Sequence, residues 1–321
     1  MANGPDLEES VFQAERNVTG AVSGARRLPR LLLVAALAAV LSACVPTANV
    51  LSVPTFTVDA SRSGFVRIDP PGIGNGSALF RLALEVNNPN AIGVKLAGLD
   101  GALFLRNARA ATATFRGGVD VPARGSAPLV LDVTVPLGAA PALLDTIAGF
   151  VAGGATPYRL DAAVTLDIFG APQRFPDFTL VSGDLAAPPR LQAPQIQLVG
   201  GSMRFESVNS VAVTLDVEVA NPGIIGFRAS APQLTFAVAG AQAATGSLRP
   251  LELPAGGSAV STLTFRFDPL ALGAALAAQV QAASAGAGGL SIGLSGGWTL
   301  EAPGIATLAL EPTALLNSVL R

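Results

Sequence analysis

The sequence predicts an all-β chain, two tandem antiparallel β-sandwiches that each carry one short helix, behind an N-terminal signal segment. Three observations predict it. Apolar and polar residues alternate along many short runs; Gly, Pro and Asn separate those runs; and the whole pattern returns about 133 residues later. A period of two with frequent turn residues is the signature of strands buried on one face, packed as a sandwich.

Composition bounds the rest. Of 321 residues, 50% are apolar and 13% charged, which describes a chain that buries a core. Aromatics are only 5%, so packing relies on Ala, Leu and Val. The net charge is −2 with no basic run beyond the N-terminus, which argues against a nucleic-acid partner. There is no His and only one Cys, which removes the usual general base, the commonest metal ligand, any disulfide and any Cys–His pair. An enzyme is not expected, and no cofactor or metal is implied.

Residues 1–43 read as a signal region. Arg26, Arg27 and Arg30 form a positive n-region and Leu31 to Val40 an apolar one, shorter than the roughly 20 residues that span a bilayer. Leu41, Ser42, Ala43 and Cys44 close it and resemble the bacterial lipobox, in which the cysteine thiol receives diacylglycerol and becomes the first residue after cleavage. Cys44 is thus the expected lipidation site, and the membrane the expected partner through that anchor. An ordinary signal in which Cys44 is incidental is the alternative. Val45, rather than an aspartate, favours the outer-membrane or periplasmic face of a bacterial envelope over the inner membrane. Some 25 residues with Asp6, Glu8, Glu9 and Glu15 precede the arginines, so translation is expected to start later than Met1.

Residues 44–53 read as a lipidated tether, 54–185 as the first sandwich, 186–191 as a Pro-rich linker and 192–321 as the second, divergent sandwich. In the first, Phe80, Leu82, Leu84 and Val86 alternate with Arg81, Ala83, Glu85 and Asn87; in the second, Val213, Leu215, Val217 and Val219 alternate with Thr214, Asp216 and Glu218. Further alternating runs fall at 54–58, 129–135, 160–168, 175–181, 194–206, 232–238, 260–267 and 305–311. Helical spacing appears at Leu143, Leu144, Ile147, Phe150 and Val151, and again at Leu272, Leu276 and Val280, where Asp268-Pro269 suggests a start.

The strand ending in Asn88-Pro89-Asn90, followed by Ile92-Gly93-Val94, then Pro122-Ala123-Arg124-Gly125-Ser126, Tyr158-Arg159-Leu160, Gly170 and Phe175-Pro176, resembles the group 2 late-embryogenesis-abundant (LEA) family. The family is also called the WHy domain, for water stress and hypersensitive response. The second half keeps Asn221-Pro222 but has Gly223 for the next Asn and no counterpart of Tyr158 or Phe175-Pro176. The resemblance implies sandwiches of immunoglobulin or fibronectin type III style, a link to desiccation and water stress, and no catalytic residue.

Asn88, Pro89, Asn90, Asn221 and Pro222 form the family motif. Its structural reading is that Asn bonds its own backbone while Pro ends the ladder; its functional reading is a recognition loop at one end of the sandwich. Glu85, Asp216 and Glu218 read as a solvated face, since Asp216 and Glu218 are neighbours on one strand rather than facing acids. Asp69, Asp100 and Asp120 read as turn residues, and the glycine-rich stretches 71–76 and 285–289 as loops without a phosphate-binding context. The expected function is that of a membrane-anchored, non-enzymatic envelope protein that protects membrane or client proteins during drying. The alternatives are a carrier of lipid or another apolar ligand, and an envelope assembly or adhesion module.

Overall fold

The computed structural model describes residues 51–138, 141–185 and 190–320, and the segment Ser52–Arg321 forms one compact unit. Leu41, Ser42, Ala43 and Cys44 lie outside the described residues. The architecture is all-β, with every strand pair inside the four sheets antiparallel.

The first module holds nine strands and a helix: β1 (Thr55–Val58), β2 (Gly64–Ile68), β3 (Ser77–Asn87), β4 (Val94–Leu105), β5 (Ala108–Phe115), β6 (Val119–Val121), β7 (Ser126–Pro136), α1 (Pro141–Val151), β8 (Thr156–Ile168) and β9 (Ala171–Leu185). In one sheet β1 and β2 pair with one edge of β3 and β7 with the other; in the second, β4 pairs with β5, β6 and β8, and β8 pairs with β9. The alternation in β3 has the expected consequence. Ala78, Phe80, Leu82, Leu84 and Val86 point inward and are buried, as are Leu160, Ala162, Val164 and Leu166 of β8. Phe80 meets Tyr158 across the gap, with ring centroids 5.8 Å apart. A register shift between Leu96 and Gly98 lets β4 bury both Leu96 and Leu99 despite their odd spacing.

The outer edge strand, β9, carries Pro172, Arg174, Pro176, Asp177 and Asp184, a composition that discourages pairing with another chain. Helix α1 buries Leu143, Ile147 and Phe150, and the Phe150 ring lies 5.6 Å from Phe65, so the helix seals one end of the sandwich.

The second module comprises β10 (Gln195–Ser207), β11 (Ser210–Ala220), β12 (Phe227–Val238), β13 (Ala241–Leu253), β14 (Ser258–Phe267), α2 (Ala274–Ser284), β15 (Leu290–Gly296), β16 (Thr299–Ala302), β17 (Ala306–Ala309) and β18 (Thr313–Leu320). One sheet is β10-β11-β14; the other runs β17-β16-β12-β15-β18 with β13 also on β12. Phe236 of β12 stacks on Phe265 of β14 at 4.7 Å between the sheets. The long β8 of the first module corresponds here to two strands, β15 and β16, separated at Gly297-Trp298. Trp298 itself is buried.

The second helix departs from the expected start. Asp268-Pro269 opens only a 3₁₀ turn, Leu270–Leu272, with the Asp268 carboxylate accepting the Leu270 N–H at 2.9 Å. Gly273 then turns to φ 98°, outside helical geometry, and α2 begins after it. Only Val280 of α2 is buried, because its other residues are largely Ala, Gln and Ser.

The modules meet end to end. Ile68 N–H donates to Ile224 O and Gly226 N–H to Ile68 O, both at 2.7 Å, forming a parallel bridge. The loop 69–76 of the first module packs there, with Ile73 and Asp69 buried. Asp69, a turn residue in the sequence reading, is buried in that loop. Its carboxylate instead pairs with Arg67 and accepts the Ala255 N–H at 2.8 Å, from the other module. A Cβ added at Gly226 would lie 2.6 Å from that carboxylate, so glycine is what lets the two ends close. Gly304, in the β16–β17 turn, approaches Leu144 of α1 on the same junction.

Candidate functional site

The end of the first module away from this junction gathers the motif residues. Asn88 closes β3 and is 2% exposed. Its side-chain amide donates to Ile92 O at 2.8 Å, Pro122 O at 3.0 Å and Val121 O at 3.4 Å, while its side-chain oxygen accepts the Asn90 N–H at 3.0 Å. The local bond to Asn90 is the Asx-type contact expected from sequence; the bonds to the 121–122 turn, over thirty residues away, are not visible in a linear reading. Pro89 is exposed at the strand end, where a missing N–H costs nothing.

The same bonds recur in the second module. The Asn221 amide donates to Ile225 O at 2.8 Å, Pro254 O at 3.2 Å and Leu253 O at 3.3 Å, and its oxygen accepts the Gly223 N–H at 2.9 Å. Asn88 N–H bonds Gly125 O and Asn221 N–H bonds Gly257 O. With Asn221 also 2% exposed, both amides are consumed inside the fold. Pro222 is exposed like Pro89.

Asn90 does something its counterpart Gly223 cannot. Its side chain clasps the backbone of Ser52, accepting the Ser52 N–H and donating to Ser52 O, each at 2.9 Å. The chain therefore enters the first module at this end. The hairpin joining β8 to β9 lies here too: Phe169 lines the same surface groove as Pro122, Lys95 and Asp167.

The outward carboxylates serve the sheets. Glu85 accepts from Ser126 Oγ, Glu218 from Ser258 Oγ at 2.6 Å and Asp216 from Thr262 Oγ1 at 2.6 Å. Arg81 and Asp132, opposite each other on β3 and β7, make a forked pair with two bonds of 2.7 Å. Asp100, expected in a turn, is inside β4 and pairs with Arg116 and, at 3.4 Å, Arg174; Asp120 is inside β6. Among the described residues no group of three His, Cys, Asp or Glu is placed to hold a metal ion.

Hydrogen bonds from arginine hold Asp100 (Arg116), Asp132 (Arg81) and Glu206 (Arg266) below the usual carboxylate range, and a hydrogen bond from Ser61 does so for Asp59. Burial first, and then Asp184, push the Tyr158 hydroxyl up. A lowered carboxylate adds stability above its unfolded pKa, lost as pH falls through the folded one; a raised Tyr adds stability below its unfolded pKa, lost as pH rises through the folded one. With no His to titrate between them, thermal stability is expected to be flat from about pH 5 to about pH 9 and to fall below about pH 4. Melting scans across that range check it.

Comparison with known proteins gives a family match for this module. Residues 83–175, from β3 into β9, match the type 2 family model described as "Late embryogenesis abundant protein". A search of curated proteins found no match. Among solved structures, a protein from Archaeoglobus fulgidus is similar at 12% identity and a TM-score of 0.27, with 42% of this chain and 95% of that one covered. Red sea bream transglutaminase is similar at 13% identity and a TM-score of 0.23, covering 78% of this chain and 31% of that one. A β-glucuronidase of glycoside hydrolase family 2 is similar at 10% identity and a TM-score of 0.22, covering 84% and 27%. The chain thus spans under a third of each of these two enzymes, and likeness at this level carries no argument about activity.

Proposed function

We propose, for a chain whose residues 83–175 match the late embryogenesis abundant type 2 family model, a role as a membrane-anchored, non-enzymatic envelope protein that protects membranes or client proteins during water stress. The family match is the observation that carries this reading. The anchor is the diacylglycerol expected on Cys44 after the Leu41-Ser42-Ala43 lipobox, and its destination the outer-membrane or periplasmic side of a bacterial envelope.

Three features support it. Ser52, clasped by Asn90, brings the chain in at one end, so a tether there leaves both sandwiches projecting from the surface. The first sandwich is filled by its own side chains and closed at the other end by α1, where an apolar ligand would otherwise sit. The wet faces carry paired charges and hydroxyls on either side of single exposed valines, which keeps much of each face hydrated.

The test is survival after drying and osmotic shock in three strains: wild type, gene deletion, and deletion complemented with Cys44→Ala. Loss of survival in the deletion, unrescued by Cys44→Ala, is the expected result. Undiminished survival in the deletion overturns the protective role; full rescue by Cys44→Ala overturns the need for an anchor.

A further inference from the structure

We propose that the β8–β9 hairpin tip inserts Phe169 into the surface of the lipid bilayer to which the chain is tethered, fixing the orientation of the first module. The proposal rests on the anchored reading above.

Phe169 is 90% exposed, the most exposed of the large apolar side chains among the described residues. It sits in a two-residue hairpin loop between Ile168 and Ala171, with φ 53° at Phe169 and 86° at Gly170. Both central residues are left-handed, the form in which Asn-Gly or Asp-Gly is favoured. The other two such turns here, Arg106-Asn107 and Ala239-Gly240, put polar or small residues in these positions. A bulky aromatic with positive φ is a conformational outlier. Nothing in the fold requires it, since the turn is held by Gly170 N–H donating to Asp167 Oδ1 at 2.7 Å. Phe169 therefore breaks two local rules at once, one for backbone and one for exposure, and such residues are expected where function overrides folding.

Position says what the function is. Phe169 shares its groove with Pro122, whose carbonyl is bonded by Asn88, next to the Asn90 clasp on Ser52. Eight residue steps separate Ser52 from Cys44, a reach of at most about 28 Å. A lipid on Cys44 keeps this end of the module within that reach of the bilayer. The corresponding turn of the second module, Pro303-Gly304, is turned into the junction beside Leu144 and carries no aromatic. Of these two corresponding turns, the aromatic stands on the one at the tethered end.

Charge at this end is mixed. Lys95 stands in register with Asp120 and Asp167, and Arg124 is exposed nearby. The contact is thus apolar insertion rather than attraction to anionic headgroups, and one side chain orients a tethered protein without recruiting a free one.

The test uses the full lipidated chain reconstituted in vesicles of phosphatidylethanolamine and phosphatidylglycerol. Lipidation blocks the Cys44 thiol, so Ala171→Cys, exposed two residues from an intact Phe169, offers a single site for a nitroxide label; Val208→Cys, on the exposed β10–β11 tip of the second module, is the distal control. Circular dichroism establishes that both variants are folded. The expected result is a several-fold higher ratio of oxygen to nickel-chelate collision at position 171 than at 208, unchanged by raised salt and lost when Phe169→Ser is added. A protein that floats with the vesicles but shows equal, water-like ratios at both sites overturns the insertion and leaves the anchor standing. Failure to float overturns both.

Discussion

Asn88→Ala is expected to destabilise the first module by roughly 3 kcal/mol, on a cost of about 1–3 kcal/mol for each buried polar group left without a partner. The amide of Asn88 serves carbonyls at Ile92, Val121 and Pro122, and its oxygen serves Asn90. Alanine removes all of these while leaving the carbonyls of the 121–122 turn in place. Asn90 loses its own support, because its side chain also bonds Asn88 Oδ1 at 2.8 Å, and the clasp on Ser52 loosens with it. Asn88→Asp is expected to be worse than alanine, since a carboxylate turns negative oxygen toward carbonyl oxygens in a buried site. Asn221→Ala should fall slightly short of Asn88→Ala, because Gly223 supplies only a backbone bond where Asn90 supplies two. Urea midpoints of the four proteins, wild type included, give the order directly.

Gly101→Ala carries the other large effect. Gly101 lies mid-strand in β4, opposite Ala162 of β8, where the two backbones approach unusually closely. A Cβ there would stand 2.2 Å from Asp161 O, 2.3 Å from Ala162 Cβ and 2.7 Å from Ala162 Cα. These are backbone and Cβ atoms, so no rotamer change relieves the clash and the central strand pair must separate. A loss above about 3 kcal/mol is expected, the upper range for overpacking a core, together with a fall in soluble yield. Gly98→Ala is the matched control in the same strand: its nearest contact is 3.4 Å, an ordinary van der Waals distance, and its cost should be under about 1 kcal/mol.

The parts of this fold that depend on near neighbours were legible in the sequence. Period-two alternation identified β3 and β11 because one face of each is packed and the other wet, and the spacing of Leu143, Ile147 and Phe150 identified α1 for the same reason. Residues whose role is set by distant partners were not. Asp69 is followed by Pro70 and reads as a turn residue, yet its acceptor is satisfied by Ala255, 186 residues away. Asp100 stands beside Gly101, and glycine in a strand reads as a turn until the close approach of β8 explains it. Strand β13 escaped because its sequence, AQAATGSLRPLEL, alternates poorly and much of it is exposed. At the candidate site, the Asx contact of Asn88 was readable from Asn-Pro, while the clasp of Asn90 on Ser52 and the tip at Phe169 required the loops to be brought together. One signal for the junction was available: Ile73 is an isolated apolar residue in a glycine-rich loop, and it is wholly buried.

The junction also makes the two ends of the module pair unequal. Between β2 and β3 the first module has the eight-residue loop Asp69–Gly76, which forms the socket for the second. Between β10 and β11 the second module has only Val208-Asn209 at its outer end. Among the described residues that end has neither a loop like 69–76 nor a buried acid like Asp69. In the language of repeat arrays the pair is polar: the interface that joins its two units is not repeated at the outer end of the second.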